Sequence, residues 1–243
     1  MKRLLMAALG LLAASVHAQD VAPLLKAADR FRMSSDDLQV DTLIAVFNTD
    51  GSPDKERRYT VFAQTGHRSL VLMQSPAEKG QKVLMLGDDF WLLMPGSQRP
   101  LRITPMQKLL GDASTGDIAT LSWADDYGGR VVGEERCGDA ACVHLSLAAG
   151  RRGVTYQRIE LWLGTRLHEP IKAELYVQSD KLAKQASFVL DKPAAPTQVT
   201  EMVLRDQLSN HKETRVRYLS RAPRSVPEAW LNPMFLARNP TLD

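Results

Sequence analysis

Hydrophobic side chains recur at every second position along most of this chain, which is the pattern of β-strands. The clearest case is residues 171–178, where Ile171, Ala173, Leu175 and Val177 would face one side of a sheet. Comparable segments follow one another from residue 38 to residue 219, separated by short polar links. Serial strands with short links are typical of an antiparallel meander, so the sequence predicts a mainly β protein.

Helical periodicity is limited to three places. Residues 20–32 predict an amphipathic helix, because one stripe at helical spacing contains Val21, Leu24, Leu25, Ala28 and Phe31. A helical insertion is expected within residues 105–123, with a short helix from Ile118 to Trp123 that Thr115 or Asp117 would cap. Residues 226–237 form a third, apolar helix-like segment. We expect these helices to cover the concave side of one curved sheet.

The stretch from Gly80 to Trp123 is unusual because its apolar runs, Val83–Leu86 and Phe90–Met94, are apolar on both faces. A second layer must therefore cover the second face, whether a helix, a partner or an apolar ligand. This stretch and its neighbour Met73 supply the candidate ligand-binding residues, namely Met73, Leu84, Leu86, Phe90, Leu92, Leu93, Met94, Met106 and Trp123. Flexible methionines suit a surface that accepts acyl chains, but composition alone favours an ordinary core over a cavity.

The first residues resemble a secretory signal peptide. Lys2 and Arg3 precede an apolar run from Leu4 to Val16, and small residues stand at the positions read by a signal peptidase. The run is too short to cross a membrane, which requires about 20 apolar residues. We predict removal of residues 1–18, with cleavage after Ala18, and an exported, soluble protein with a single folded domain over residues 19–243.

The net charge and the two cysteines indicate which partner and which cross-link to expect. The net charge is +3 at pH 7, and Lys2 and Arg3 in the predicted leader account for two of those charges, so no nucleic-acid partner is expected. Cys137 and Cys142 are the only cysteines. In an exported chain, two thiols this close predict one disulfide that joins neighbouring strands.

A search for catalytic chemistry finds little. The chain has no Gly-x-Ser-x-Gly elbow and no His-Glu-x-x-His motif. Gly111 and Gly116 have the spacing of a phosphate loop, but Asp117 stands where the lysine should be. The paired carboxylates at 88–89 and 125–126 lie in turn-like sequence and are interpreted as turn residues. The sequence predicts no catalytic residue, no metal site and no cofactor.

Residues 87–119 resemble the signature of the periplasmic outer-membrane lipoprotein-sorting proteins, the LolA-like superfamily. The matching elements are the apolar strand 90–94, the turn at Pro95, the basic strand that ends at Arg102-Ile103, residues 104–107, and Gly111 through Asp117. The chain looks closest to a branch associated with RND-type exporters. The resemblance implies a protein without enzymatic activity, built as an open half-barrel of about eleven antiparallel strands with helices over an apolar cavity. One side of the doubly apolar runs would meet the core and the other would line the cavity, which makes the residues named above candidates for the cavity wall.

Two functional hypotheses follow from this resemblance. The first is a periplasmic carrier for lipid or lipoprotein acyl chains, which works as a monomer with an inner-membrane RND-type transporter and makes peripheral membrane contact. The second is an envelope sensor or scaffold, in which the same half-barrel binds a protein partner. An enzyme that acts on lipids ranks third, because only the paired aspartates support it.

Overall fold

This computed structural model of the chain describes residues 20–33, 35–120, 122–206 and 213–238, and the predicted leader lies outside these ranges. The helices are α1 (Ala22–Asp29), α2 (Thr115–Ala119) and two 3₁₀ helices, Glu228–Leu231 and Pro233–Arg238. The first eight strands are β1 (Leu38–Phe47), β2 (Pro53–Gln64), β3 (Arg68–Met73), β4 (Lys82–Leu86), β5 (Asp89–Leu93), β6 (Leu101–Ile103), β7 (Lys108–Leu110) and β8 (Ala113–Ser114). The others are β9 (Tyr127–Cys137), β10 (Ala140–Ala149), β11 (Arg158–Gly164), β12 (Pro170–Tyr176), β13 (Leu182–Leu190), β14 (Val199–Arg205) and β15 (Glu213–Pro223).

Thirteen of the strands form one antiparallel sheet in the order β6-β5-β4-β3-β2-β1-β15-β14-β13-β12-β11-β10-β9. Two meanders, β1 to β6 and β9 to β15, are therefore joined where β1 pairs with β15. The sheet does not close, because β6 and β9 remain at opposite edges. The prediction of a mainly β, open half-barrel is confirmed, with thirteen strands rather than about eleven.

Residues 104–126, which we call the crossing segment, connect the two edge strands. They contain the β7–β8 hairpin and α2, and they pack together with α1 on one face of the sheet, which we call the inner face. The predicted helix from Ile118 to Trp123 is wrong in its bounds. The helix begins at Thr115 because Ser114 is its N-cap and the Asp117 carboxylate accepts a hydrogen bond from the Ser114 backbone N–H (2.7 Å).

The inner face carries the larger of the two apolar clusters. Its members come from both meanders, from α1 and from the crossing segment, and include Leu25, Ala28, Val61, Val71, Val83, Met85, Phe90, Ile118, Trp123, Leu145, Ile159, Leu161, Leu175, Met202, Leu204 and Val216. Because α1 and α2 are only eight and five residues long, packing rather than intrinsic helix propensity holds them in place.

A second cluster lies on the opposite, outer face of β2 to β5. Residues that alternate with the inner set point outward, as period-two geometry requires, namely Phe62, Leu70, Leu72, Leu84 and Leu93. Residues 226–238, the C-terminal segment, cover them through Val226, Leu231 and Leu236. The expectation that all helices cover the concave side is therefore wrong for this segment, because β2 to β5 are apolar on both faces.

Cys137 and Cys142 form the predicted disulfide, which joins the end of β9 to the start of β10. Among the described residues, no helix is long and apolar enough to cross a membrane.

Candidate functional site

A pocket lies between the inner face of the sheet and the crossing segment. Its cavity volume is about 40 Å³. Its apolar wall is formed by Trp123, Ile159, Leu175, Ala186, Phe188 and Met202, and its polar groups belong to Arg32, Asp117, Thr120, Tyr127, Thr155 and Tyr156. Trp123 from the crossing segment meets Phe188 of β13 edge to face, with ring centroids 5.6 Å apart.

A buried ion pair holds α2 against the sheet at this pocket. Lys184 Nζ of β13 donates to Asp117 Oδ2 at 2.7 Å, and both side chains are almost fully buried. The Tyr156 hydroxyl donates to Asp117 Oδ1 at 2.6 Å. Burial by itself would raise the pKa of Asp117, but Lys184 and these hydrogen bonds outweigh it and hold that pKa below its usual value. Asp117 is therefore an ionised anchor.

The two glycines with phosphate-loop spacing serve close packing instead. At Gly111, which has a φ of +56°, a Cβ atom would lie 2.4 Å from Thr214 Oγ1 of β15. At Gly116, a Cβ atom would lie 1.8 Å from Thr155 Oγ1. The crossing segment can approach the sheet this closely only without side chains at these two positions.

The other end of the crossing segment is attached to α1. The Asp29 carboxylate accepts hydrogen bonds from the backbone N–H groups of Trp123 (2.8 Å) and Ala124 (2.9 Å). Burial raises the pKa of Asp29, while Arg32 and these N–H groups oppose the rise. The Arg32 guanidinium lies 3.8 Å over the Trp123 ring. Asp29 and Arg32 therefore determine where the pocket wall at Trp123 lies.

The paired aspartates have structural contacts at the rim between the two meanders. Arg151, in the turn after β10, forms ion pairs with Asp88 in the turn before β5 and with Asp126 at the end of the crossing segment. The buried Asp126 carboxylate also lies 3.3 Å from His67 Nδ1. These contacts join the tips of both meanders, and Asp88, Asp125 and Asp126 lie in turns as interpreted. Asp89 differs, because it is the first residue of β5.

Comparison with known proteins identifies the fold family. A family model described as "-like: Uncharacterized protein" matches residues 65–238, most of the chain. A LolA superfamily protein from Nitrosomonas europaea superposes with a TM-score of 0.79 at 29% identity, over 88% of this chain and 98% of that one. The chain belongs to this family and to the LolA-like superfamily. No curated protein matches it.

Two further structures share the LolA-like fold. A DUF1329 family protein from Desulfovibrio piger has a TM-score of 0.69 at 20% identity and covers 87% of this chain and 97% of its own. A domain assigned to the outer membrane lipoprotein-sorting proteins, from Vibrio parahaemolyticus, has a TM-score of 0.67 at 17% identity and covers 88% and 98%. The predicted superfamily is confirmed.

The structure distributes the candidate ligand-binding residues of this LolA-like chain over both faces of the sheet. Met73, Phe90, Leu92, Met106 and Trp123 lie in or against the inner cluster, and Trp123 lines the pocket. On the outer face, Leu84, Leu86 and Leu93 lie in or against the cluster under the C-terminal segment. Met94 is 41% exposed.

Sequence reasoning missed the polar residues that position the pocket. Lys184 could have been noticed, because it shares a strand face with Ala186 and Phe188 in an otherwise apolar row. Arg32 follows Ala28 by four residues and continues the apolar stripe of α1. In both cases, a cation on an otherwise apolar face of a strand or helix could have indicated a buried charge that needs a partner. Within the described residues, no group of three or more His, Cys, Asp or Glu side chains is arranged to hold a metal ion.

Alkaline pH should destabilise this LolA-like fold through its buried tyrosines. Burial, then Asp117, raises the pKa of Tyr156, and burial, then Asp126, raises that of Tyr127. The unfolded chain releases these protons near pH 10, whereas the folded protein keeps them to higher pH. The contribution of the two tyrosines to the free energy of unfolding is therefore fully present below about pH 10 and is lost as the pH rises further. Urea unfolding should show a loss of about 1.4 kcal/mol per pH unit for each such tyrosine above about pH 10. The slope should be shallower in Tyr127→Phe, and an unchanged slope would contradict the assignment.

Proposed function

We propose that this chain is a periplasmic carrier that shields an apolar ligand, a lipid or the acyl chains of a lipoprotein, beneath the crossing segment. The observation that carries the proposal is the pocket between the inner face and the crossing segment, which is walled by large apolar side chains. Each such side chain contributes about 1.5–3 kcal/mol when it is removed from water, so contact with an acyl chain would supply substantial binding free energy.

The crossing segment acts as the lid in this proposal. It is held by the apolar packing of residues such as Ile118 and Trp123 and by polar contacts of Asp29 and Asp117, the latter with Lys184 of β13. It is not held by strand pairing to the thirteen-stranded sheet. A few such side-chain contacts can break when an acyl chain enters, so the segment can move. A strand of the sheet could move only by losing all its backbone hydrogen bonds to the neighbouring strand. The ligand would displace the segment and occupy the space beside Trp123.

The cellular setting follows from the same proposal. Export would remove residues 1–18, and an inner-membrane RND-type transporter would supply or receive the ligand. The name of the Vibrio parahaemolyticus domain, lipoprotein sorting, agrees with a cargo that carries acyl chains.

Binding of a fluorescent fatty acid, together with native mass spectrometry of protein purified without detergent, tests the proposal. We expect saturable binding. Phe188→Asp should weaken it by about tenfold or more, because a charge would enter the apolar wall. Val189→Asp is the matched control, since Val189 is the next residue of β13, points to the opposite face and is 45% exposed. Its binding should equal that of the wild type.

An empty protein that binds no fatty acid would contradict the carrier and favour the sensor or scaffold. If Phe188→Asp fails to fold, the uncharged Phe188→Ser replaces it in the same measurement. Equal binding by wild type and both Phe188 variants would move the ligand site away from this pocket.

A further inference from the structure

Two arginines on the inner face lie beside the C-terminal end of α1. Arg221 of β15 pairs in register with Val40 of β1, which belongs to the inner cluster. Its guanidinium lies 4.5 Å from the centroid of the Tyr218 ring. Arg32 lies in the turn after α1 and lines the pocket beside Trp123.

Within the described ranges, Arg221 has only neutral partners. Its Nη1 donates to Gln198 Oε1 at 3.1 Å and its Nη2 to the Val199 carbonyl oxygen at 2.6 Å. The buried Nε finds no hydrogen-bond partner among the same residues. In the described part of the chain, no carboxylate comes within ion-pair distance of this guanidinium, although every other largely buried cation near the pocket has one. Burial lowers the pKa of Arg221; Tyr218 opposes this shift, and the charge of Arg32 adds a smaller effect in the lowering direction.

The carboxylate beside Arg32 is already engaged and does not serve Arg221. Arg32 is 7% exposed, and its Nη1 lies 3.5 Å from Asp29 Oδ1 without a hydrogen bond. The Asp29 carboxylate is already engaged by the backbone N–H groups of Trp123 and Ala124. Among the described residues, Arg32 and Lys184 therefore each have a carboxylate partner, Asp29 and Asp117, whereas Arg221 has none. The Tyr218 hydroxyl donates no hydrogen bond to a described residue. Burial raises the pKa of Tyr218, and the charges of Arg32 and Arg221 oppose the rise.

We propose that Arg221, with Arg32 and the Tyr218 hydroxyl, binds the anionic headgroup of an amphiphile whose chain occupies the pocket beside Trp123 and Phe188. A carboxylate or a phosphate matches the fork of a guanidinium, and such charge-assisted hydrogen bonds are roughly twice as strong as neutral ones. The bound anion would supply the counter-charge that Arg221 lacks and would engage its free Nε. This inference rests on the proposed carrier function and names its ligand class.

The arginines would bind the charged headgroup of the ligand, and the apolar wall would contact its chain. Arg32 contacts the pocket directly, and its guanidinium stacks on the same Trp123 ring that meets Phe188. A headgroup at the arginines would therefore be continuous with a chain that runs along Phe188 and Met202 of the apolar wall. Neutral amphiphiles would gain the apolar contacts and leave Arg221 unpaired.

A long-chain fatty acid and its methyl ester separate the two contributions, because they share the chain and differ only in charge. Isothermal titration of wild-type protein should give about tenfold or tighter binding of the acid. Arg221→Gln should remove this preference while ester binding is retained. Arg224→Gln is the matched control, since Arg224 lies three residues further along, donates to Gln39 Oε1 and stacks over the outer-face Phe62 ring. Like Arg221, it has no carboxylate partner among the residues that the structure describes. The control variant should keep the preference.

Equal affinity of wild type for acid and ester would overturn the headgroup site and leave the carrier intact, whereas absence of binding by both would overturn the carrier itself. A preference that survives in Arg221→Gln would also overturn the assignment. If that variant does not fold, Arg221→Lys, which keeps the charge and loses the fork, should reduce the preference. Inorganic phosphate alone, titrated in parallel, should bind far more weakly than the fatty acid; equal affinity would indicate a free-anion site and overturn the amphiphile assignment.

Discussion

Asp117→Asn should lower the free energy of unfolding by about 3–5 kcal/mol, as expected when one partner of a buried ion pair is removed. The substitution leaves the Lys184 ammonium, 2% exposed, without a counter-charge against the inner face. It also changes the acceptor for the Tyr156 hydroxyl and for Ser114 at the N-cap of α2. Urea unfolding of the two proteins measures the difference.

The structure offers a matched control for this prediction. Replacing both charges, as Asp117→Leu with Lys184→Met, removes the pair without leaving a buried ion, and should recover most of the loss. Amide hydrogen exchange should show faster opening of α2 in Asp117→Asn, while β10, which lacks contact with this pair, changes less. A loss below about 1 kcal/mol would mean that water reaches Lys184 and that the segment is not fastened there.

The acid dependence of stability provides a further test of the same residue. Because the folded-state pKa of Asp117 is depressed, its contribution is fully present above about pH 3.9, the unfolded value, and is lost as pH falls through the folded pKa. In Asp117→Asn this part of the acid-induced loss should be absent. A profile that stays parallel to the wild type would contradict the assignment of an ionised anchor.

Leu93→Asp should destabilise the protein by several kcal/mol, because a desolvated carboxylate would replace an apolar side chain of the outer cluster. The ammonium of Lys82, which pairs with Leu93 across the strands and contacts the Leu236 carbonyl oxygen, should offset only part of this cost. Leu93 is 4% exposed and belongs to the outer cluster under the C-terminal segment, with Leu231 and Leu236. We expect a lower midpoint of urea unfolding and release of the C-terminal segment, visible as rapid proteolysis near residues 226–238.

Met94→Asp is the control for Leu93→Asp, since it places the same charge one residue later, where the side chain is 41% exposed. Its effect should stay within about 0.5 kcal/mol. If Leu93→Asp instead remains as stable as the wild type and loses fatty-acid binding, then Leu93 contacts ligand and the outer cluster is a binding surface.

Local patterns were sufficient for much of the architecture. The bounds of β1, Leu38 to Phe47, agree with the predicted strand, and α1 lies within the predicted amphipathic helix. The disulfide followed from the proximity of Cys137 and Cys142. The family signature in residues 87–119 indicated the open half-barrel. These features depend on neighbours within a few residues, where the period of hydrophobicity and the spacing of two thiols carry the information.

The pocket could not be derived in the same way. Its polar framework joins Asp29, Asp117 and Lys184 from α1, the crossing segment and β13, which are distant in sequence. The apolar runs around Phe90 also gave no sign of which face met the C-terminal segment, since a doubly apolar strand carries no period-two signal.

By itself, then, the sequence determined the strands, the N-terminal helix, the disulfide and the superfamily, because short-range periodicity and motif spacing encode them. Only the tertiary structure decided that the crossing segment lies over the inner face and that the C-terminal segment covers the outer one. The same is true of Arg221, which has no carboxylate partner among the described residues. Those outcomes depend on which surfaces meet after the two meanders join at β1 and β15. Contacts between segments that are distant in sequence decide which charged groups are buried side by side and which neutral groups surround the others.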